Sequence, residues 1–400
     1  MTSVRSVLQV MSPEFRLVVA CSWVPRDTER HSSEIAALAA GPLDWEQVAE
    51  LVVRHGVTGL FCLNMGLRDW AGVPDGIQAR IKTVRLQQAA RTLGQVAELS
   101  RIAEAFAIAG IELIPLKGVA LSQELYGDPL VRTSGDLDIL VHGQDVAEAE
   151  DLLRRLDYRH ALGFHGLGAR QQGHIIDNLH HHEYLNDAKG SMVELHWRGY
   201  LWTEEQVAPP WAASLPADGP GVTVRRLARE DNILFLADHG ARHEWECLKW
   251  LSDLAMLTQL LSPDDWRSLY ERAACFDLQR VLLQTALMLE RVYGIAPPAD
   301  FSSLAAADRV VKSLTESAVS QLLATKEELA ARVKRFAGPR QALRIRALKP
   351  GTPVSALVCN VLIKPEDFLE YPLPDSLFWL YIPLRPYFWF KRHYLAGRRK

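Results

Sequence analysis

The sequence predicts an α+β protein: a small mixed sheet flanked by N-terminal helices and a C-terminal helical bundle. Three observations predict it. Ile111 to Val141 reads as strand, glycine turn, helix, basic loop and strand. His180 to Leu185 and Ser191 to Trp197 read as two antiparallel strands around a turn at 186–190. The chain before residue 110 and beyond residue 231 carries apolar side chains at helical spacing.

The elements follow in order. Residues 34–64 look helical, with Asp44 placed to cap a helix through Val48, Leu51 and Val52 and Gly56 placed to stop it. Ile77 to Ala109 is one long helical tract. Leu93, Val96, Leu99, Ile102, Ala103 and Phe106 form its apolar stripe, and Gly110 its C-terminal stop. Ile111 to Leu116 has strand length, and Pro115 suggests an edge. Lys117-Gly118 turns the chain into a short helix, Val119 to Tyr126, ended by Gly127-Asp128-Pro129. Asp136 to Val141 is the next strand, and Asp145 is placed to cap an amphipathic helix through Leu156. Pro209, Pro210, Pro216 and Pro220 suggest a linker. Helices follow from Asp231 to Ala337, and residues 339–400 are rich in proline, arginine and aromatics. The expected division is a helical region at 1–95, a catalytic core at 96–208, a helical domain at 225–340 and a tail at 341–400 that packs on the body.

Composition narrows the function. A chain of 400 residues, 48% hydrophobic and 23% charged, has the make-up of a globular protein. A net charge of -3 gives no global pull toward nucleic acid. Cys21, Cys62, Cys247, Cys275 and Cys359 are scattered, which argues against a zinc ribbon or a disulfide framework and fits a reducing compartment. Met1 to Val10 lacks a basic start with an apolar core, and no apolar run reaches ~18 residues. A cytoplasmic location is the expectation.

The chemistry concentrates on three carboxylates. Asp136 and Asp138 are two apart, so on a strand they share a face while Leu137 and Ile139 point into a core. Glu194 follows the same rule, with Val193 and Leu195 facing away. Neighbouring carboxylates repel unless a cation lies between them. Magnesium, or manganese, suits such oxygen ligands and leaves room for phosphate. Three carboxylates complete a site for two ions roughly 3.5–4 Å apart. Asp136, Asp138 and Glu194 are thus the expected metal ligands and catalytic groups, Glu194 or Asp138 being the natural base.

Upstream, Lys117 and Gly118 offer a point charge and a helix start with free N–H groups. Arg132 could fork onto phosphate oxygens, and Ser134 could donate to them. Together these form the expected nucleotide-binding set. Other polar residues keep two readings. In His180-His181-His182-Glu183, period-two alternation puts His180 and His182 on one face, so His182 could touch substrate. His196 fits an orienting role or a satisfied core histidine. His239, Arg242 and Lys249 could line the cleft or bond between helices, as could His243 and Asp253.

Taken in order, LKGVAL (116–121), Tyr126, Arg132, GDLDILV (135–141), Tyr158 and VELHW (193–197) resemble a bacterial family of uncharacterised nucleotidyltransferases within the DNA polymerase β-like superfamily. LDWEQVAELVVRHGV (43–57), HGARHEWECLKWLSDLAML (239–257) and the ending at 373–394 fit the same family. The resemblance implies a catalytic palm of a few mixed strands. It implies transfer of NMP from an NTP with magnesium, and Asp136, Asp138 and Glu194 as metal ligands. One departure is clear: the superfamily's Gly-Ser or Gly-Gly turn is here Gly118-Val119, so Lys117 and Arg132 are expected to replace the serine contact.

The expected partners are an NTP and a hydroxyl acceptor: a small molecule, a peptide or a protein. The alternatives are phosphoryl transfer on the same scaffold, or a binding protein that keeps nucleotide without turnover. Nucleic acid is not an expected partner, since no basic, aromatic-interleaved strand tract lies near the site. The aromatic tail with its basic end offers a membrane contact as the less favoured alternative to packing on the body.

Overall fold

The structure is a computed structural model that describes residues 11–162, 167–199, 210–219, 222–325, 328 and 362–391. Outside the described residues lie the start at Met1 to Val10, Pro209 and Pro220, most of the expected helix beyond residue 325, and the basic end from Arg392 to Lys400.

Four short helices open the chain: α1 Pro13–Ala20, α2 Thr28–Ala39, α3 Trp45–Arg54 and α4 Thr58–Gly66. The Ser12 hydroxyl accepts from the Phe15 N–H, and Asp44 accepts from the Gln47 N–H, as its position before α3 predicts. Helix α5, Asp75–Ile108, is a single 34-residue rod, and Gly110 follows it at φ +77°. Its buried faces are Ile77 and Ile81 at the start and Leu99, Ile102, Ala103 and Phe106 at the end. Leu93 does not join the stripe. It lies between the two contact zones and is exposed.

The central sheet has the order β1-β2-β5-β4-β3, built from Ile114–Pro115, Leu137–Leu140, Ser191–His196, His181–Asn186 and Arg159–His160 respectively. Pro115 sits on the edge strand, where a missing N–H costs no ladder bond. β2 and β5 run parallel, and the other pairs are antiparallel. Helix α6, Gly118–Tyr126, connects β1 toward β2 and ends at Gly127 with φ +69°. Helix α7, Val146–Arg155, follows β2, and α8, Ala169–Asn178, precedes β4. Asp145 does not cap α7 with its side chain. A 3₁₀ turn at Gly143–Asp145 leads into the helix and leaves Asp145 in helical rather than extended backbone.

The expected linker holds structure. Strands β6 (Leu215–Gly219) and β7 (Val222–Arg226) form a hairpin, with Pro216 within β6. The Arg225 N–H donates to the Leu113 carbonyl, so the hairpin lies beside β1. Helices α9 (Arg229–Arg242), α10 (Leu248–Thr258), α11 (Pro263–Ala274), α12 (Gln279–Tyr293), α13 (Ala299–Ala307) and α14 (Arg309–Leu323) follow. The described tail adds α15 (Pro365–Glu370), a 3₁₀ turn at Asp375–Leu380 and α16 (Tyr381–Phe390).

Two cores fix the faces of the sheet. Leu137, Ile139, Val193, Leu195 and Tyr184 pack with the end of α5 and with Ala149 and Leu153 of α7. Leu116, Leu121 and Leu140 join a larger core that α1 to α4 share with α9 to α14. Asp138 and Leu140 occupy the same face of β2, so the acidic face looks toward the helical bundle. A third cluster seats Phe368, Phe378, Tyr381 and Phe388 of the tail against Ile175 of α8. Among the described residues no helix is long and apolar enough to cross a membrane.

Candidate active site

Strand register builds the site. Asp138 on β2 lies beside Glu194 on β5, and Glu194 lies opposite Glu183 on β4. One step along the same face, His196 lies opposite His181. The sheet therefore presents a row of three carboxylates and, next to it, a pair of imidazoles. Val193, Leu195, Leu137 and Ile139 are buried on the reverse face, as the alternation predicts.

Asp138 is the most enclosed member, at 2% exposure. Lys117 Nζ lies 2.7 Å from its Oδ1, and His196 Nε2 lies 3.3 Å from the same oxygen. His196 Nε2 also lies 3.2 Å from Glu194 Oε2, so the ring spans the two carboxylates. Asp138 Oδ2 is buried with no hydrogen-bond partner among the described residues. Burial opposes ionisation of Asp138, but the Lys117 ammonium and His196 outweigh it and hold the carboxyl well below its usual range. Burial likewise opposes a charged His196, and the bonds to Asp138 and Glu194 outweigh that, raising its pKa.

Asp136 stands just before β2 and is partly buried. It accepts from Ser134 Oγ at 2.8 Å, and Gln95 Nε2 donates to the Ser134 carbonyl at 3.2 Å. Burial, then the charges of Asp138 and Glu194, push its carboxyl up against the pull of Lys117. Asp136 is thus the readier proton acceptor, while Asp138 is pinned as an anion.

The Lys117-Gly118 turn has a physical reason. Gly118 has φ +66°, a left-handed conformation that glycine adopts without strain, and it starts α6. A Cβ there would meet Ser134 Cβ at 3.5 Å and the Asp136 carbonyl at 3.6 Å. The turn thereby brings Lys117, Ser134 and the start of α6 close to the carboxylates.

Other expected residues go elsewhere. Arg132 is buried, and its Nε reaches both Asp253 oxygens at 3.0 and 2.8 Å. Its backbone N–H donates to Ser122 Oγ at 2.9 Å. Arg132 therefore ties the loop before β2 to α10. His182 is on the reverse face, its Nδ1 2.7 Å from Glu150 Oε1 of α7 and its ring against Trp197. It does not meet the carboxylates. The reverse face also holds a cavity of about 780 Å³ lined by Glu150, His182 and Trp197 among others, and none of the three carboxylates lines it.

The helical polar residues divide. His239 is buried, and burial with the charges of Lys117 and Arg242 pushes its pKa well below the usual value. Arg242 Nη2 is 3.3 Å from His239 Nδ1, and Arg242 Nη1 is 3.3 Å from His180 Nε2. Lys249 has its pKa lowered by burial and by Arg132, with Asp136 acting the other way. His239 and Arg242 thus border the site from α9, and Asp253 of α10 takes the interhelix role with Arg132.

His181 and Glu183 were not singled out by alternation, yet they face Glu194 and His196. His180, just before β4, has Nε2 3.0 Å from His181 Nδ1. A signal existed: Asn186 pairs with Ser191 across the turn, and counting back along both strands places Glu183 opposite Glu194.

The donors suit a divalent cation. One ligand atom each from Asp138, Glu194 and His196 lies within 4.8 Å of the others, and Asp138 Oδ2 is a buried oxygen with no partner among the described residues. Asp136 is not part of that closest set.

No curated protein and no solved structure matches the chain. The model of a family described as uncharacterised nucleotidyltransferase matches residues 41–294. That stretch runs from just before α3 to the end of α12 and contains every carboxylate, imidazole and cation of the site. Because the match spans more than half of the sequence and the whole acidic face, the chain belongs to this family of uncharacterised nucleotidyltransferases.

Proposed function

We propose that the chain transfers an NMP group from an NTP to a hydroxyl of a small molecule, peptide or protein, using divalent metal, the new bond to the α-phosphate replacing its bond to the β-phosphate and releasing pyrophosphate. One observation carries this most directly. Asp138 and Glu194 stand side by side in register on parallel strands, and the second Asp138 oxygen is buried without a partner among the described residues. Asp138 and Glu194 would hold the ion, with Asp136 at its border. Magnesium or manganese, when bound, would neutralise phosphate charge and orient the triphosphate.

The chain's own groups do the rest. Lys117 and the N-terminal N–H groups of α6 supply positive charge beside the row, where phosphate oxygens are best received. Ser134 orients Asp136, and Asp136 takes the proton of the attacking hydroxyl. His196 holds Asp138 and Glu194 in one geometry. Two ions remain the preferred arrangement, and a polymerase β-like origin of the sheet agrees with its mixed order. Cys21, Cys62, Cys247 and Cys275 form no disulfide among the described residues, which agrees with a reducing, cytoplasmic setting.

The test is to incubate the chain with each NTP, labelled at the α- or the γ-phosphate, with magnesium or manganese and a panel of hydroxyl acceptors. Transfer of α-label, lost by at least about 100-fold in Asp136→Asn and Glu194→Gln, is the expected result. Transfer of γ-label alone would assign phosphoryl transfer. Nucleotide binding with no transfer to any acceptor would leave a binding protein.

A further inference from the structure

We propose that His181, Glu183 and Glu194 form a second cation subsite, suited to a borderline divalent ion of the Mn²⁺ kind. Glu183 and Glu194 face each other directly across β4 and β5. Like charges in that position destabilise a sheet unless something positive lies between them. Among the described residues the ion-pair partner of Glu183 is His181 Nε2 at 3.9 Å, and that of Glu194 is His196 Nε2 at 3.2 Å. Both partners are imidazoles, which carry charge only when protonated. A divalent cation neutralises the pair at any pH at which the carboxylates are ionised.

Distances and donor types fit. One ligand atom from each of His181, Glu183 and Glu194 lies within 4.8 Å of the other two. Glu194 also belongs to the buried set with Asp138 and His196, whose atoms meet the same limit. Two-metal sites hold their ions roughly 3.5–4 Å apart, and a carboxylate shared by two sets would allow that spacing. The set that shares Glu194 with this one carries two buried polar atoms of its own. Asp138 Oδ2 and His196 Nδ1 are both buried without a hydrogen-bond partner among the described residues, on residues only 2% exposed.

The two sets differ in access and not only in position. Asp138 and His196 are enclosed, whereas Glu183 is exposed and His181 is partly so. The second ion would therefore exchange with solvent more readily. An imidazole among carboxylates shifts preference from Mg²⁺ toward later divalent ions, because nitrogen ligands suit those metals better. The residues that would hold the second ion lie on the β4 side of Glu194, across it from β2. This subsite rests on the register of β4 and β5 and holds whichever group the chain transfers.

Mn²⁺ alone, titrated into the metal-free full chain and counted by the paramagnetic resonance of the free ion, tests it. Two ions per chain are expected. Glu183→Gln and His181→Ala, both at accessible positions, are each expected to weaken one ion by at least about tenfold in Kd while the other stays. Their thermal unfolding without metal should match the parent chain. Two ions bound with unchanged affinity in both variants, or a parent chain that binds one ion or none, would overturn the subsite. A chain that binds both ions and loses one in each variant, yet moves no nucleotide, supports the subsite and overturns only the transfer reading.

Discussion

Lys117 and Asp138 form an ion pair, Nζ to Oδ1 at 2.7 Å, with the lysine 8% exposed and the aspartate side chain fully buried. The pair sits where a phosphate-facing lysine is expected, and the lysine faces a carboxylate instead. It compensates the charge of a carboxylate that the surrounding core would otherwise push toward neutrality.

Removal of that lysine is therefore expected to destabilise the fold itself. Lys117→Met leaves Asp138 charged, buried and paired only with His196, a change that costs about 3–5 kcal/mol when a buried pair loses one partner. A cation bound at the Asp138 row should offset part of the loss. Urea unfolding is expected to show a lower midpoint for the variant, and a larger gain on adding Mg²⁺ than the parent chain shows. Equal midpoints without metal would mean the pair contributes nothing.

The Arg132–Asp253 pair leads to a different expectation. Both side chains are buried, at 4% and 1% exposure. Asp253→Ala strands a buried guanidinium and is expected to cost about 3–5 kcal/mol in urea unfolding. Arg132→Lys keeps charge but loses the planar fork, so it too should lose stability. A direct phosphate role for Arg132 would instead raise KM for the NTP at unchanged stability. Measuring both quantities on Arg132→Lys separates the two.

These pairs show which parts of the site the sequence makes legible. Asp138 and Glu194 are readable because strand alternation is local: the apolar neighbours Leu137, Ile139, Val193 and Leu195 declare which face is core. The Arg132 partner is not readable, since 121 residues separate it from Asp253 and neither residue's surroundings name the other. His182 and His181 differ only in register, and alternation alone leaves the choice of face open until the turn is counted. The β6–β7 hairpin is hidden by Pro216, which is tolerated because β6 pairs on one side only. Leu93 looks like core because helical periodicity cannot say where along α5 the partners stop.

Gly59 offers a test of how the Arg132 loop is seated. A Cβ there would lie 2.0 Å from the Val131 carbonyl oxygen, so α4 and this loop touch backbone to backbone. No flexible side chain can move aside. Gly59→Ala is expected to push the loop outward, lower the urea midpoint by the equivalent of about 1–3 kcal/mol and reduce metal-dependent activity together with it. Gly66→Ala on the same helix, where nothing lies within 4 Å, is the matched control and should leave both unchanged. If the two variants unfold alike, the close approach is not what fixes the loop.

His55 makes stability depend on pH through a group outside the carboxylate row. It is fully buried, its Nδ1 accepts from the Leu248 N–H at 3.4 Å, and its carbonyl accepts from the Lys249 N–H at 3.2 Å. It thereby ties the end of α3 to the start of α10, the helix that carries Lys249 and Asp253. Burial, helped by the neighbouring Arg54 charge, pushes its pKa down to about 3. In the unfolded chain the same ring titrates near ~6.5. Between those values the unfolded chain binds a proton that the folded chain refuses, so folding weakens as pH falls. The loss is absent above about pH 6.5, reaches at most ~1.4 kcal/mol per pH unit below it, and stops growing once the folded ring also protonates. His55→Asn keeps an acceptor for the Leu248 N–H and removes the titration. Unfolding free energies of the parent and this variant at pH 7.5, 6 and 5 are expected to diverge toward acid, the parent falling faster. Parallel pH profiles would show that His55 is not the group responsible.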